Sequence, residues 1–393
     1  MQVSRIDECE FDTMQEEWND LLSNSLSDNV FLRWEWIHTW WSVFRRQRTL
    51  YLLGVRRQGR LIGIAPFYLE SAKCPGRTIA KLCSDELSPD YLDLIVHKEA
   101  ESEVVSAIRG HIHATRGEWD ILVLEHLRPD SILIRHLATF KGFNILMNHS
   151  HRCRYIRLEK DFEHYWQGQH ALARFALMKK ERVLQEEKHV IHRTVQTQDD
   201  LQEGFQHLFA LHRKRASEAH VKSNFLSEDV QQFHLRLGRL FLPAGILNLH
   251  FLCAGQTPIS AHYCFNYKKK IYFYQSGFDP LWNKWSLGMV QLLKAVRQAF
   301  EQGFEELDFL KGEEGYKVYW ANAERIEEEL RIYNHTFYGF VAWSIGVFER
   351  ALRGIKHGLN GFRAASPNPR QQSFKVEIGH QRIDPYAPKP ERV

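Results

Sequence analysis

The feature that most limits the possible folds is an order of predicted elements that occurs twice along the chain. Residues 50–69 and 247–267 each predict a β-hairpin with a polar, glycine-containing turn. Residues 105–124 and 290–310 each predict a helix, a glycine that ends it and a short strand. A helix, a glycine and a strand in this order are common in α/β proteins, but the matching hairpins favour a duplicated α/β unit.

Length and composition agree with two domains. A chain of 393 residues is too long for one ordinary core. Hydrophobic residues make up 44% and charged residues 25%, so each domain can bury a core of its own. We therefore predict mixed α/β sheets in a first domain at residues 1–158 and a second at 159–335, followed at 336–393 by an amphipathic helix and a flexible tail.

Charge and cysteine content bear on the partners and the compartment. A net charge of +4 is too small for this length to predict nucleic acid as the main partner. The six cysteines form no C-x-x-C pair, which fits a reducing compartment, and the spaced histidine pairs lack companion ligands, so we expect no metal. The acidic residues 1–11 do not resemble a secretory signal. We expect a cytoplasmic protein.

An aromatic, apolar segment at residues 337–356 has two possible roles. It carries few charges until a basic end. Its longest apolar stretch falls short of the roughly 20 residues that a bilayer requires. The segment is predicted either to pack back on the domains or to lie peripherally at the inner face of a membrane.

The densest functional signal lies at residues 272–320. A predicted strand there runs into a loop, and the loop leads through Ser286, Leu287 and Gly288 into a long amphipathic helix. A helix start offers unpaired backbone N–H groups and the positive end of the helix dipole, and glycine lets a ligand approach the backbone. This predicts a pyrophosphate site; the alternative is that Ser286 is only an N-cap and Gly288 only a loose first turn. The motif matches neither a Walker loop nor a dinucleotide fingerprint.

Candidate catalytic residues follow the next strand. Asp308 ends that strand, and Tyr316 and Lys317 lie on the turn and helix beyond it. Carboxylate, phenol and ammonium groups would meet at the carboxyl end of a strand, where α/β sheets bind ligands. Acylation of an amine needs a base for the nucleophile and an acid for the leaving thiolate, roles that fit Asp308 and Tyr316. Lys317 would bind a phosphate or steady a negative charge, or else only pair with Asp308.

Further polar residues have two interpretations each. His262 lies in the strand before the aromatic one and is predicted either to line an acceptor pocket or to be simply half-exposed. Basic residues at 179–182 and 213–215 either face an anionic acceptor or form solvated faces of helices.

The segment 272–320 resembles the CelD-type (BcsL-type) acetyltransferase family. The resemblance comprises a G-x-D-P turn, an S-x-G helix start, a G-x-x-x-x-D-F-L strand and a G-x-x-x-Y-K-x-x-W segment. The residues that carry it are Gly277, Asp279, Pro280, Ser286, Gly288, Gly303, Asp308, Phe309, Leu310, Gly312, Tyr316, Lys317 and Trp320. That family is named for its association with cellulose biosynthesis, belongs to the GNAT superfamily and is similar to FemAB-type aminoacyl transferases. A looser likeness extends over residues 31–334.

The resemblance implies two tandem GNAT-like acyl-CoA N-acyltransferase domains with acetyl-CoA or another acyl-CoA as donor. The implied cofactor-binding residues are Gly277, Trp285, Ser286, Leu287, Gly288 and Met289, and the implied substrate-binding residues are Asp279, Arg213 and Trp320. The GNAT phosphate loop is usually Q/R-x-x-G-x-G/A, and this chain keeps only the last glycine, Gly288. The first repeat has no Ser-x-Gly at its helix start, so we expect no cofactor site in the first domain.

Three functions are compatible with these observations. The first is transfer of an acyl group, with acetyl expected, from CoA to an amine or hydroxyl of a saccharide or of a cell-envelope or exopolysaccharide precursor. Transfer would be direct in a ternary complex, because no Cys–His nucleophile pair is evident. The second is FemAB-like transfer from aminoacyl-tRNA to a peptidoglycan precursor. The third, favoured by the incomplete phosphate loop, is a non-catalytic partner of a polysaccharide synthase.

Overall fold

The computed structural model describes residues 1–71, 78–82, 86–87, 89–138, 140–363, 377–378 and 381–382. These residues divide into two compact units. The first unit draws on Met1–His151 and Ile326–Gln372, and the second on Arg152–Arg325 and Ser373–Val393. Each unit thus combines separate stretches of chain, whereas the sequence analysis predicts consecutive domains. The difference arises because a late strand pairs within the first unit.

The first unit contains short helices and a β-sheet. Its elements are β1 (Gln2–Arg5), α1 (Glu8–Thr13), α2 (Gln15–Ser23), α3 (Trp34–Phe44), β2 (Arg48–Arg57), β3 (Arg60–Ser71), β4 (Thr78–Leu82), β5 (Ile95–Val96), α4 (Glu101–Ala114), β6 (Ile121–Leu127), α5 (Ile132–Leu137) and α12 (Phe337–Arg363). Two strands are shared, since β7 (Asn144–Arg157) begins in this unit and ends in the second, and β13 (Ala323–Tyr333) does the reverse.

Strand order in the first unit is β1-β2-β3-β4-β6-β13, and β5 pairs with β3. β2 and β3 form the predicted hairpin, β4 and β6 are parallel, and β6 and β13 are antiparallel. The aromatic face of α3 lies in the core, where Trp36 and Trp40 are 0% exposed. The ring centroid of Trp40 lies 5.1 Å from that of Tyr68 on β3.

The second unit repeats a mixed sheet with helices. Its further elements are α6 (Phe162–Gln167), α7 (Ala171–Glu186), β8 (Val190–Thr194), α8 (Gln198–Glu218), α9 (Glu228–Phe241), β9 (Leu247–Ala254), β10 (Thr257–Tyr267), β11 (Lys270–Phe278), α10 (Leu287–Glu301), β12 (Glu306–Lys311) and α11 (Gly315–Trp320). Strand order is β7-β12-β11-β10-β9-β8. All neighbours are antiparallel except β11 and β12, which are parallel.

The core of the second unit lies between this sheet and α10. Leu293 and Val296 of α10 are 0% exposed and belong to the same buried cluster as Phe309 of β12. The predicted mixed α/β fold class is confirmed. Of the predicted tail at residues 366–393, only two short paired strands, β14 (Glu377–Ile378) and β15 (Gln381–Arg382), fall within the described residues.

Candidate active site

The parallel strands β11 and β12 diverge after a short paired stretch. Their register runs from Lys270 opposite Glu306 to Tyr272 opposite Asp308. β11 then continues to Phe278, and no further pairing with β12 occurs among the described residues. Beyond Tyr272, the edge of β11 that paired with β12 therefore separates from it. Such an edge can accept an extended ligand.

A β-bulge accompanies the divergence. Tyr263 of β10 pairs with Gln275 and Cys264 pairs with Phe273, so that Tyr274 is the extra residue on β11. An extra residue bends the strand that carries it, and bulges are frequent beside active sites. The bulge is thus a physical reason for β11 to depart from β12 at this point.

The start of α10 follows the end of β11 and is open. Ser286 adopts the left-handed conformation, with φ 52°, at the N-cap position, but its side chain makes no capping hydrogen bond. The N–H groups of Met289 and Val290 donate to the Ser286 carbonyl, and those of Leu287 and Gly288 precede any intrahelical acceptor. A Cβ atom added at Gly288 would meet nothing within 4 Å. The space before the helix can therefore admit a ligand.

Lys180 of α7 places an ammonium group at this helix start. Its Nζ donates to Ser286 Oγ at 2.8 Å, and burial lowers the pKa of Lys180. A cation beside the positive end of a helix dipole is unfavourable unless an anion lies between them. Lys180 and the Gly288 backbone thus form an arrangement suited to a phosphate group. Sequence reasoning noted the basic stretch at 179–182 but nothing in it distinguished Lys180.

Other predicted cofactor and substrate residues lie around this helix start with their side chains turned inward. Leu287 is 2% exposed and Trp320 is 0% exposed. Trp320 donates from Nε1 to Met289 Sδ at 3.4 Å, and its ring stacks on Trp166 at 5.9 Å between centroids. Trp285 is half-buried. Leu287 and Met289 can therefore contact a ligand through their backbone, whereas Trp320 packs in the core.

The ring of Tyr316 packs against a residue from each of the two diverging strands. Its ring centroid lies 6.2 Å from that of Phe273 on β11 and 5.9 Å from that of Phe309 on β12. Burial, together with the nearby Glu314 carboxylate, raises the pKa of Tyr316 above its ordinary value. The phenol therefore keeps its proton at physiological pH.

Asp308 lies on the other face of β12. Its side chain is 0% exposed, Oδ1 accepts from the Leu310 N–H at 2.8 Å, and Oδ2 is 3.9 Å from Arg325. Because successive side chains of a strand alternate, Asp308 points away from the face on which Phe309 meets Tyr316. Leu310 has a φ of 59°, a strained conformation for a branched residue and one frequent at functional sites. Asp308 and Tyr316 thus lie near the same end of β12 but on opposite faces.

The side chain of Lys317 forms its contacts with the turn between β12 and α11. It is 3% exposed, and its Nζ donates to the Lys311 carbonyl at 2.5 Å and the Leu310 carbonyl at 3.5 Å, with the Glu314 carboxylate at 3.0 Å. Gly312 in this turn has a φ of 131°, and a Cβ there would overlap Lys317 Nζ. These contacts make Lys317 a residue that shapes the site.

Replacing Lys317 by methionine is therefore expected to destabilise the second unit. The change leaves two carbonyl groups and a carboxylate without their buried donor, which costs about 1–3 kcal/mol of unfolding free energy. Urea unfolding of the full chain measures this, with the exposed Lys222→Met as the matched control. Equal midpoints for the two variants would contradict the assignment.

The basic residues of α8 form hydrogen bonds and an ion pair with residues at the end of β11. His212 Nδ1 lies 3.0 Å from the Ser276 carbonyl oxygen, Arg215 donates to Ser276 Oγ at 2.9 Å, and Lys214 pairs with Asp279 at 2.6 Å. The resemblance implies that Asp279 and Arg213 bind the substrate. The Asp279 carboxylate is paired with Lys214 of α8. Arg213 is exposed.

Gly277 allows the close approach of α8 to β11. A Cβ there would overlap the backbone nitrogen of His212 and lie 2.9 Å from its Cα. Because a helix backbone cannot yield locally, we expect Gly277→Ala to lower the unfolding free energy by about 1–3 kcal/mol. Gly110→Ala on α4, where an added Cβ meets nothing within 4 Å, is the control and should raise stability. An unchanged urea midpoint for Gly277→Ala would contradict this packing.

His262 is enclosed by its neighbours. It is 1% exposed, and its ring centroid lies 4.7 Å from Phe273 and 5.3 Å from His250. Its Nδ1 makes no hydrogen bond within the described part of the chain. Burial holds the pKa of His262 well below its ordinary value, so the ring is neutral. A role for His262 at the acceptor remains a prediction.

Sequence reasoning also missed a buried polar pair near the bulge. His234 of α9 is 0% exposed, and its Nδ1 lies 3.2 Å from Tyr263 Oη. The His234 ring centroid lies 5.1 Å from that of Tyr274. No spacing along the chain signals this pair, because helix and strand come together only in the fold.

Comparison with known proteins defines the class. Residues 173–318 match the acetyltransferase (GNAT) domain family. Comparison with curated proteins by sequence gives no match. Among solved structures, FemX is similar with a TM-score of 0.59 and 9% identity, covering 84% of this chain and 97% of its own. The C-terminal domain (DUF2156) of a putative lysylphosphatidylglycerol synthetase from Agrobacterium fabrum has a TM-score of 0.52 and 9% identity, covering 86% and 97%.

A third similar structure, a conserved protein of unknown function from Bacteroides thetaiotaomicron, has a TM-score of 0.52 and 10% identity and covers 85% of this chain and 100% of its own. At these identities the likeness shows the fold alone. Residues 173–318, within the second unit, thus match a GNAT-type domain, and the chain has a FemX-like tandem fold. Among the described residues, no helix has both the length and the apolarity to cross a bilayer.

Proposed function

We propose that the protein transfers an acyl group, acetyl in the first instance, from CoA to an amine or hydroxyl of a saccharide or cell-envelope precursor. GNAT domains use acyl-CoA. The observation that carries the proposal is the open start of α10, where the Gly288 backbone and the Lys180 ammonium converge after β11 has separated from β12. The CoA pyrophosphate would bind at the helix start and the pantetheine arm along that edge. The saccharide acceptor rests on the resemblance to the CelD-type family.

The two faces of β12 suit the two halves of the reaction. In this proposal the thioester would lie between the diverging strands, with its sulfur towards Tyr316 and its carbonyl carbon towards Asp308. The acceptor attacks the carbonyl carbon, the new C–N or C–O bond forms, and the C–S bond breaks. Asp308 takes the proton of the acceptor, and Tyr316 gives its phenolic proton to the departing sulfur. Lys317 and the αL turn at Leu310 keep this end of β12 in place.

Lys180 allows a direct test of the donor site. Replacing Lys180 by glutamine should weaken acetyl-CoA binding about tenfold in calorimetry, because one charge-assisted contact to a phosphate is lost. Lys179→Gln is the matched control, since Lys179 is the exposed neighbour on the same helix. If the two variants bind acetyl-CoA equally well, Lys180 does not contact the donor.

A second candidate function is transfer of an aminoacyl group from tRNA. It is favoured by the similarity to FemX and to the lysylphosphatidylglycerol synthetase domain, which covers most of this chain rather than the GNAT domain alone. Tight tRNA binding with a steep dependence on salt, and no calorimetric heat with acetyl-CoA, would favour this function over the first.

A further inference from the structure

Helix α12 rests on the first unit through its smallest residues. A Cβ added at Gly339 would overlap the carbonyl oxygen of Asn334. One added at Gly346 would lie 2.8 Å from Tyr333 Oη and 2.9 Å from a methyl group of Leu146. Two glycines seven positions apart lie on the same face of a helix. This glycine face is therefore the side of α12 that contacts the protein.

The opposite face of α12 is apolar and exposed. Phe337 is 74% exposed and Phe348 65% exposed. The other exposed large apolar residues of this helix are Tyr338, Phe340, Val341, Ile345, Val347 and Leu352. At 100° per residue, positions 337, 341, 345, 348 and 352 form one continuous stripe, which lies opposite the glycine face. Contiguous apolar patches of this kind mark sites of association with a partner or a membrane.

Charge identifies the kind of partner. Residues 337–348 contain no Asp, Glu, Lys or Arg, and the rest of α12 carries Arg350, Arg353, Lys356 and Arg363 against Glu349 alone. A stripe rich in phenylalanine followed by a basic end suits the interface of an anionic lipid bilayer. A second copy of the chain would bring the same positive charge. Since α12 does not qualify as a membrane span, it would lie in the plane of the bilayer.

We propose that α12 binds the surface of anionic membranes with its exposed apolar stripe, and so holds the transferase beside acceptors at the membrane. The proposal concerns α12 of the first unit and does not depend on the donor site of the second. If α12 does not bind membranes, the proposed acyl transfer is unaffected. If the protein does not transfer an acyl group, membrane binding by α12 is unaffected.

Sedimentation of the full chain with vesicles tests the proposal. We expect at least tenfold stronger binding to vesicles that contain phosphatidylglycerol than to pure phosphatidylcholine vesicles, and weaker binding as salt rises. The double variant Phe337→Glu with Phe348→Glu, which changes two exposed members of the stripe, should lose at least tenfold in vesicle binding. Leu26→Glu, which changes a 66% exposed residue of the same unit, should bind as the wild type does.

A charge variant keeps the result interpretable. Arg350→Gln removes charge at an exposed position outside the apolar stripe, and should weaken binding to phosphatidylglycerol vesicles while leaving the thermal midpoint unchanged. Wild-type protein that binds neither kind of vesicle would overturn the proposal. So would wild-type protein that forms dimers and fails to bind vesicles, because a second copy would then cover the stripe.

Discussion

Replacing Gly288 by glutamate is expected to abolish the calorimetric heat of acetyl-CoA binding, with affinity reduced at least about 100-fold. The added side chain would fill the space before α10, which is open in the structure. Its carboxylate would also occupy the place of a phosphate beside Lys180 and repel the donor. A carboxylate in the first turn of a helix is favourable for the helix itself, so the fold should be retained. Loss of binding would therefore report on the site.

Gly288→Ala is the matched control. An alanine Cβ meets nothing within 4 Å, and alanine favours a helix more than glycine does. This variant should keep most of its affinity for acetyl-CoA and melt at or above the wild-type temperature. Unchanged affinity in Gly288→Glu, with the fold intact, would place the donor elsewhere on the chain.

Local patterns explain which parts of the fold are predictable from sequence. The aromatic residues that recur at helical spacing predict a helix at 34–44, and the structure forms α3 at Trp34–Phe44. The glycine-containing turns likewise locate both hairpins. These signals succeed because the residues that define each element are close together in sequence and bury one face.

Elements that depend on partners far away in the sequence were not predicted. No strand is predicted at 323–333, where glutamates are uncommon strand residues, and β13 forms through pairing with β6. The sequence of residues 91–96 predicts a strand, but the structure forms one only at Ile95–Val96. Asp93 within that segment instead accepts hydrogen bonds from the N–H groups of Ile132 and Leu133 at the start of α5. Tertiary context decided both cases.

The same distinction applies to the site. Ser286 and Gly288 were identified because a helix start is a local feature, and the structure places them at the first turn of α10. Lys180 was missed because it reaches Ser286 from 106 positions away. From sequence, Lys317 is predicted to bind a phosphate. Its burial and its contacts with carbonyl groups of a turn depend on the fold and therefore could not be predicted.

Replacing Tyr316 by phenylalanine is expected to lower turnover about 10²–10³-fold and to leave acetyl-CoA affinity unchanged. The ring would still pack on Phe273 and Phe309, so only the proton that the leaving sulfur needs is removed. Release of free thiol from acetyl-CoA in the presence of an amino sugar measures turnover, and calorimetry measures affinity. A general acid works below its own pKa, and the pKa of Tyr316 is raised. Wild-type activity should therefore show no decline from tyrosine ionisation below about pH 10.

Tyr319→Phe is the control for this experiment, because Tyr319 lies on the same helix, and its Oη makes no hydrogen bond within the described part of the chain. Burial raises the pKa of Tyr319 to about 12, so both phenols are protonated at neutral pH and differ in position alone. If both variants lose turnover equally, the loss reflects packing of α11. If neither does, the proton reaches the sulfur from another source. If turnover falls in Tyr316→Phe but not in Tyr319→Phe, the proton donor lies between β11 and β12. Of these two tyrosines, it is Tyr316 whose ring contacts residues of both strands.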